Sequence, residues 1–300
     1  MPDPIVSLEV GGQKLTNWQA LTITRDIDQL ADAFSFVTPA DFDDALLRAA
    51  LKPGLYNVAR VRMDGQLLIT GRVEKPTPST SADDRSVGVE GRSLAGSMVD
   101  CSIVAEQQRM VWRDLTLLKF ASILAKPFGI TVGDPTSDSK ILGTTDALVG
   151  PGQPYGEMGV IRAETGASPG QMIQDQARTV ALFVCSAPDG NLQVGRLDFK
   201  GEPVAHIKEG EGAFVSASFP IDGTKMFSLY RSVNAMGDWD DVAKAVTNPL
   251  VRIYRPKVFV NQGNVRQGQL AAEQDRALGM TDAMPLTVVV NSWTTDSGHV

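Results

Sequence analysis

Histidine and cysteine are scarce. The 300 residues hold two of each, His206, His299, Cys101 and Cys185, and no HExxH or CxxC run occurs. Zinc and iron centres draw on more such ligands at closer spacing, so no metal site is expected. The two cysteines lie too far apart in sequence to suggest a disulfide framework, and both read as plain buried thiols. Long apolar runs are missing too. No window approaches the ~18 residues a membrane helix needs, which argues against membrane insertion. The opening "MPDPIVSLEV" lacks the basic and apolar regions of a signal peptide, so synthesis in the cytoplasm is expected. Positive charge is in deficit: 28 Lys and Arg against 35 Asp and Glu give a net −7. Gripping a polyanion takes basic side chains on phosphates, and an acidic wall lets one slide past. Aromatic residues are only 6%, and Trp18, Trp112, Trp239 and Trp293 are scattered, which gives little for a sugar-stacking platform.

What remains is a globular chain, 43% apolar and 21% charged, long enough for two or three cores. Residues 1–105 read as strands that close into a barrel. Hairpins turn at Gly11-Gly12 and at Asp64-Gly65 in "NVARVRMDGQLLITGRVEK", and "AFSFVTP" sets Phe34 and Phe36 on one face. One helix, 39–52, is predicted within them, with Thr38 as its cap and acids in its first turn. From about residue 106 to 200 the period lengthens to that of helices. In "RDLTLLKFASILAKPFGI" the residues Leu115, Leu118, Ala121, Ser122 and Ala125 share a face, and Ser168-Pro169 opens a second helix that precedes a hairpin at Asp189-Gly190. This is read as an inserted α/β domain whose segment 133–167 is a long loop. Residues 201–300 return to strands, with one helix near 264–280, and the second barrel is expected to be unfinished at Val300. The fold class is α+β, mainly β. "LTITRDIDQLADAFSFV" and "VSASFPIDGTKMFSLYRSV" share a layout, which leaves internal duplication and chance likeness of short strands both open.

A search for chemistry returns little. Cys101 has Asp100 and Ser102 beside it, neither of which lowers a thiol pKa. The pairs Asp43-Asp44, Asp83-Asp84 and Asp240-Asp241 suit glycoside hydrolysis on paper, but adjacent acids usually serve as solvated caps. The glycines of "GVEGRSLAG" lack the spacing of a phosphate cradle. No catalytic residue and no cofactor site is assigned.

At "VEGRSLAGSMVDCSI" and "RIYRPKVFV" the chain resembles the central baseplate hub proteins of Mu-like contractile-tailed phages. The matching positions are Gly91 and Arg92 at a strand end, Asp100 and Cys101 after a short helix, Tyr254-Arg255-Pro256 before a strand, and Thr24-Arg25 with Ile27 early on. Ser93 stands where the family usually has an acid, and the loop 133–167 is longer than the family requires. The resemblance implies a homotrimer with two similar barrels per subunit, which adapts a sixfold tail tube to a threefold cell-puncturing spike. The implied partners are the trimeric spike protein, the tail tube protein and baseplate wedge or neighbouring tail proteins, with genome DNA passing the lumen without specific binding. At the corner of Arg92 a structural role is expected: Gly91 ends the strand, Arg92 bonds carbonyls or Asp100, and Cys101 packs as a small apolar residue. The competing readings are a tail-associated peptidoglycan hydrolase acting through the acid pairs, a host-surface carbohydrate binder, and the base of a related contractile injection or secretion spike.

Overall fold

Asp-Gly and Gly-Gly pairs set the first connections. The computed structural model describes residues 5–39, 45–52, 54–81, 85–104, 110–113, 115–133, 160–179, 182–195, 214–234, 245–261 and 265–290. Asp64 and Gly65 take φ of 48° and 83°, the positive pair that a tight hairpin turn demands. They join β5 (Val58–Met63) to β6 (Gln66–Thr80), while Gly11 and Gly12 join β1 (Val6–Val10) to β2 (Gln13–Leu15). With β3 (Ala20–Thr24), β4 (Ala33–Pro39) and β7 (Arg85–Ser93) these strands form a seven-stranded sheet in the order β2-β1-β5-β6-β7-β4-β3, every pair antiparallel.

The sheet curls. Strands β1 and β4 are four places apart, yet Leu8 and Phe36 share one core with Leu47 and Ala50 of α1 (Ala45–Ala50). Only a half-barrel folded over that helix brings them together. The expected closed barrel is not reached, since β2 and β3 stand as edges among the described residues. The helix predicted over 39–52 is shorter, and residues 40–44 lie outside the described residues. Thr38 is no helix cap. The alternation of "AFSFVTP" carries it into β4, where its hydroxyl donates to the Asn17 carbonyl.

Strand β6 outruns its neighbour β5, which pairs with it only as far as Arg72. From Lys75 to Thr80 it is bonded to β7 on one side, with no partner on the other among the described residues. Pro76 and Pro78 fall on this stretch, and a proline sits in a paired strand where its missing N–H faces away from the partner.

The next region adds α2 (Gly96–Asp100), β8 (Val111–Arg113), α3 (Leu117–Ala125), β9 (Val132–Gly133), β10 (Val160–Arg162), α4 (Pro169–Thr179), β11 (Phe183–Ser186) and β12 (Leu192–Gly195). Part of the segment read as a loop over 133–167 is thus a strand, because Val160–Arg162 pairs with β8; residues 134–159 lie outside the described residues. The buried face of α3 is Leu117, Phe120, Ala121, Leu124 and Ala125. It is turned from the face read in the sequence, because Phe120 and Leu124 bury more apolar area than Leu115 and Ser122. The Ser168 hydroxyl caps α4 by accepting from the Gln171 N–H at 3.2 Å.

The chain divides into two compact units, with the principal boundary after Gly195, so the described parts of 106–195, apart from Arg178 and Thr179, share a unit with the first sheet. The second unit contains β13 (Phe214–Ser218), β14 (Leu229–Asn234), β15 (Val246–Thr247), β16 (Pro256–Asn261), α5 (Val265–Ala283) and β17 (Thr287–Val290). Strand β13 pairs with β17 as a two-stranded ribbon, while β14 pairs antiparallel with β15 and parallel with β16. The two stretches that share a layout differ here: β3 and β4 pair directly, whereas β13 and β14 lie in separate sheets. No helix among the described residues is long and apolar enough to cross a membrane.

Candidate functional site

The corner flagged in the sequence is an ion-paired junction. Strand β7 does not end at Gly91 but runs on to Ser93, and Arg92 lies directly opposite Arg72 of β6. Like charges across a ladder repel, so Arg92 needs acids. A bulge between Val73 and Lys75 supplies one by re-aiming Glu74, whose carboxylate accepts from Arg92 Nε at 2.8 Å and from a second guanidinium nitrogen at 3.1 Å. Asp100, at the last position of α2, takes the other edge of the fork. Arg72 turns away and donates to the Tyr56 carbonyl at 3.0 Å. The paired groups leave the Asp100 carboxyl below the usual carboxylate range and raise the Arg92 guanidinium further, chiefly through Asp100 and then Glu74.

Ser93 does something an acid would not. It is 2% exposed, as is Ser186 of β11, and their hydroxyls lie 2.7 Å apart. Ser93 Oγ accepts from the Asp32 N–H, and Ser186 Oγ donates to the Leu30 carbonyl. That leaves Ser93 as the donor to Ser186, and one unbroken chain of hydrogen bonds ties the end of β7 to β11. Ion pairing at the corner does not depend on residue 93, because Glu74 and Asp100 serve Arg92. Arg25 pairs with the buried Asp32 at 3.1 Å, although burial still pushes the Asp32 carboxyl up. Thr24 is exposed at the end of β3.

Cys101 is not a packed thiol. It caps α2 in an extended conformation, φ −83° and ψ 155°, and is exposed, because α2 ends there and the chain turns outward. Cys185 is half-buried, and burial raises its thiol pKa. Among the described residues no group of three or more His, Cys, Asp or Glu side chains gathers as a metal site. The pairs at 43–44, 83–84 and 240–241 and both histidines lie outside the described residues.

In the second unit Arg255 is a clasp. Its N–H donates to Ser228 Oγ at 2.9 Å, the Ser228 N–H donates to its carbonyl at 2.8 Å, and its guanidinium bonds the Thr224 carbonyl while lying 5.2 Å from the Phe227 ring centroid. Pro256 opens β16, and Tyr254 beside the clasp is 92% exposed. Sequence reasoning missed Glu74 and Ser186. A bulge gave no local signal for the first, and the second lies 93 residues from its partner.

Residues 5–93 match the family model described as Mu phage baseplate assembly protein GpP-like, N-terminal, and residues 95–196 match the second domain of baseplate hub protein gp44-like. The matches meet at the Arg92–Ser93 corner and between them take in well over half of the chain. The chain belongs to the Mu-like baseplate hub family. The chain is 24% identical over 318 aligned positions to baseplate hub protein gp44 of Escherichia phage Mu, covering 98% of this chain and 76% of that one. Its fold is that of the tail protein of Neisseria meningitidis MC58 (TM-score 0.77, 24% identity, 99% of this chain and 83% of that one) and of the prophage MuSo2 43 kDa tail protein of Shewanella oneidensis (0.73, 22%, 100% and 85%). The family is structural and belongs to the phage tail baseplate.

The Arg92 corner is sensitive to acid in a calculable direction. Asp100 titrates below its unfolded value of 3.8, so its contribution is present above that pH and is lost as pH falls through the folded value. Asp32, with a raised pKa, acts in the opposite direction above 3.8. Asp100→Asn is expected to lower the urea midpoint at neutral pH and to narrow the gap between midpoints near pH 7 and about pH 3. An unchanged gap would show that the pair contributes nothing.

Proposed function

We propose that three copies of the chain form the central hub ring of a contractile-tail baseplate. The ring adapts the sixfold tail tube to the threefold spike and surrounds the channel through which DNA leaves. In this reading residues 1–105 and 201–300 are two tube-forming barrels flanking an α/β insertion at 106–200. Each subunit then contributes twice to a ring of six similar walls. The spike protein and the tail tube protein sit on its two faces, and wedge or neighbouring tail proteins meet the insertion. DNA passes without specific binding, as the net −7 favours. The hub is made in the host cytoplasm, acts as a scaffold without catalysis, cofactor or metal, and enters no membrane.

One observation supports this most strongly. The ribbon of β13 and β17 exposes Val215, Val289 and Val290, with Phe219, Ile221 and Leu286 exposed at its ends. Among the described residues the ribbon has no third strand, and a two-stranded ribbon alone is marginal in water, so its exposed apolar side chains suit an interface. Shared sheets between neighbouring subunits would complete both it and the open half-barrel of the first unit. Light scattering is expected to return three times the chain mass of 32.2 kDa. A species that stays at one chain mass at high concentration, and with the spike protein added, overturns the ring.

A further inference from the structure

Basic and apolar residues concentrate in one stretch of the second unit. Residues 242–272 hold five Lys and Arg and no Asp or Glu, against a net −7 for the whole chain. Within it the segment between β15 and β16 presents Leu250 at 60%, Ile253 at 66% and Tyr254 at 92% exposure, with Arg252 exposed beside them. This segment is braced at both ends. Asn248 accepts the Leu250 N–H at 3.1 Å and the Val251 N–H at 3.2 Å, and the Arg255 clasp fixes the other end to Ser228, Thr224 and Phe227. A braced loop with a bare tyrosine and arginine at its tip loses little entropy on docking, and these are the residue types that anchor interfaces.

The first unit carries its complement. Between β3 and β4 the turn Asp26-Ile27-Asp28 exposes an isoleucine, 46% accessible, flanked by two exposed carboxylates. That turn is braced as well: the Asp28 N–H donates to Asp26 Oδ1 at 2.9 Å, and the Gln174 amide of α4 donates to the Asp28 carbonyl at 2.9 Å. The neighbouring base Arg25 is engaged with Asp32, so it does not cancel the two acids.

Resting on the ring reading above, we propose that the Arg252–Tyr254 knob of one copy docks on the Asp26–Asp28 turn of the next. A closed cyclic ring needs such a heterologous contact, one patch meeting a different patch on the following copy. Opposite charge favours a second copy over itself in reverse, because knob against knob and turn against turn both repel.

Sedimentation velocity on the full chain tests this by charge reversal. Tyr254→Ala is expected to weaken trimer association at least about tenfold. Arg252→Glu alone and the pair Asp26→Lys with Asp28→Lys are each expected to weaken it, and all three together to restore most of it. The proposal is overturned if the separate variants associate like wild type, which would leave the knob to another tail protein. It is equally overturned if the three changes combine additively without rescue. Thermal melts report whether each variant folds, with Arg252→Ala replacing any that does not. A wild-type chain that is monomeric throughout defeats the ring reading itself, a result distinct from either.

Discussion

Gly91→Ala lowers the stability of the first unit by about 3 kcal/mol or more, the upper end for overpacking, whereas Gly88→Ala on the same strand shifts it by less than about 0.5 kcal/mol. The contrast comes from what each new methyl group meets. At Gly91 a Cβ would lie 2.1 Å from the Arg72 carbonyl oxygen and 2.4 Å from Cζ of Phe34. The first is backbone and the second belongs to a buried ring, so neither can yield cheaply. At Gly88 the nearest atom is Thr77 Cβ at 3.6 Å, an ordinary contact. Gly71 mirrors Gly91, since its Cβ would meet the Arg92 carbonyl oxygen at 2.0 Å. The two glycines let β6 and β7 approach where Arg72 faces Arg92, and the ion-paired corner is built on that approach. Urea midpoints of the two alanine variants decide the matter, and equal midpoints would mean that the close approach is relieved at no cost.

Tyr230→Ala is expected to remove about 3–5 kcal/mol from the second unit, the usual range for deleting a buried aromatic. Tyr230 is fully buried on β14, and the other buried hydrophobic residues described in that unit are the alanines Ala271, Ala272 and Ala283. Its ring meets Phe227 edge-on at 5.9 Å, and its hydroxyl accepts the Phe227 N–H at 3.2 Å. Among the described buried residues of that unit, the alanines are too small to fill the void left behind. Tyr230→Phe is milder, about 1 kcal/mol for the lost hydrogen bond. Hydrogen exchange read by peptide should show protection lost across 214–290 in Tyr230→Ala and retained in the first sheet. Loss spread evenly over both units would show that the two do not melt independently.

Much of this architecture was legible where the determinants are local. Asp64-Gly65 and Gly11-Gly12 announce hairpins because few other residues accept their dihedral angles, and Ser168-Pro169 announces a helix start through capping alone. The Arg92–Asp100 pair, eight positions apart across a short helix, was within reach as well. Thr38 and the α3 face were misread for a common reason. A polar cap residue and a strand threonine look alike without knowing which carbonyl is near, and the buried side of a short amphipathic helix depends on what covers it. Cys101 was placed inside on its usual preference, which a helix end overrode. Glu74 and Ser186 depend on a bulge and on a contact between distant strands, and neither leaves a periodic trace.

The outer rim of β6 has one more effect. In an antiparallel ladder a residue's amide and carbonyl point to the same side, so at 76 and 78 the unpaired margin shows oxygens and no hydrogens. Two such margins brought face to face at these positions would oppose acceptor to acceptor. Edge-to-edge pairing of copies along this stretch of rim is thereby disfavoured.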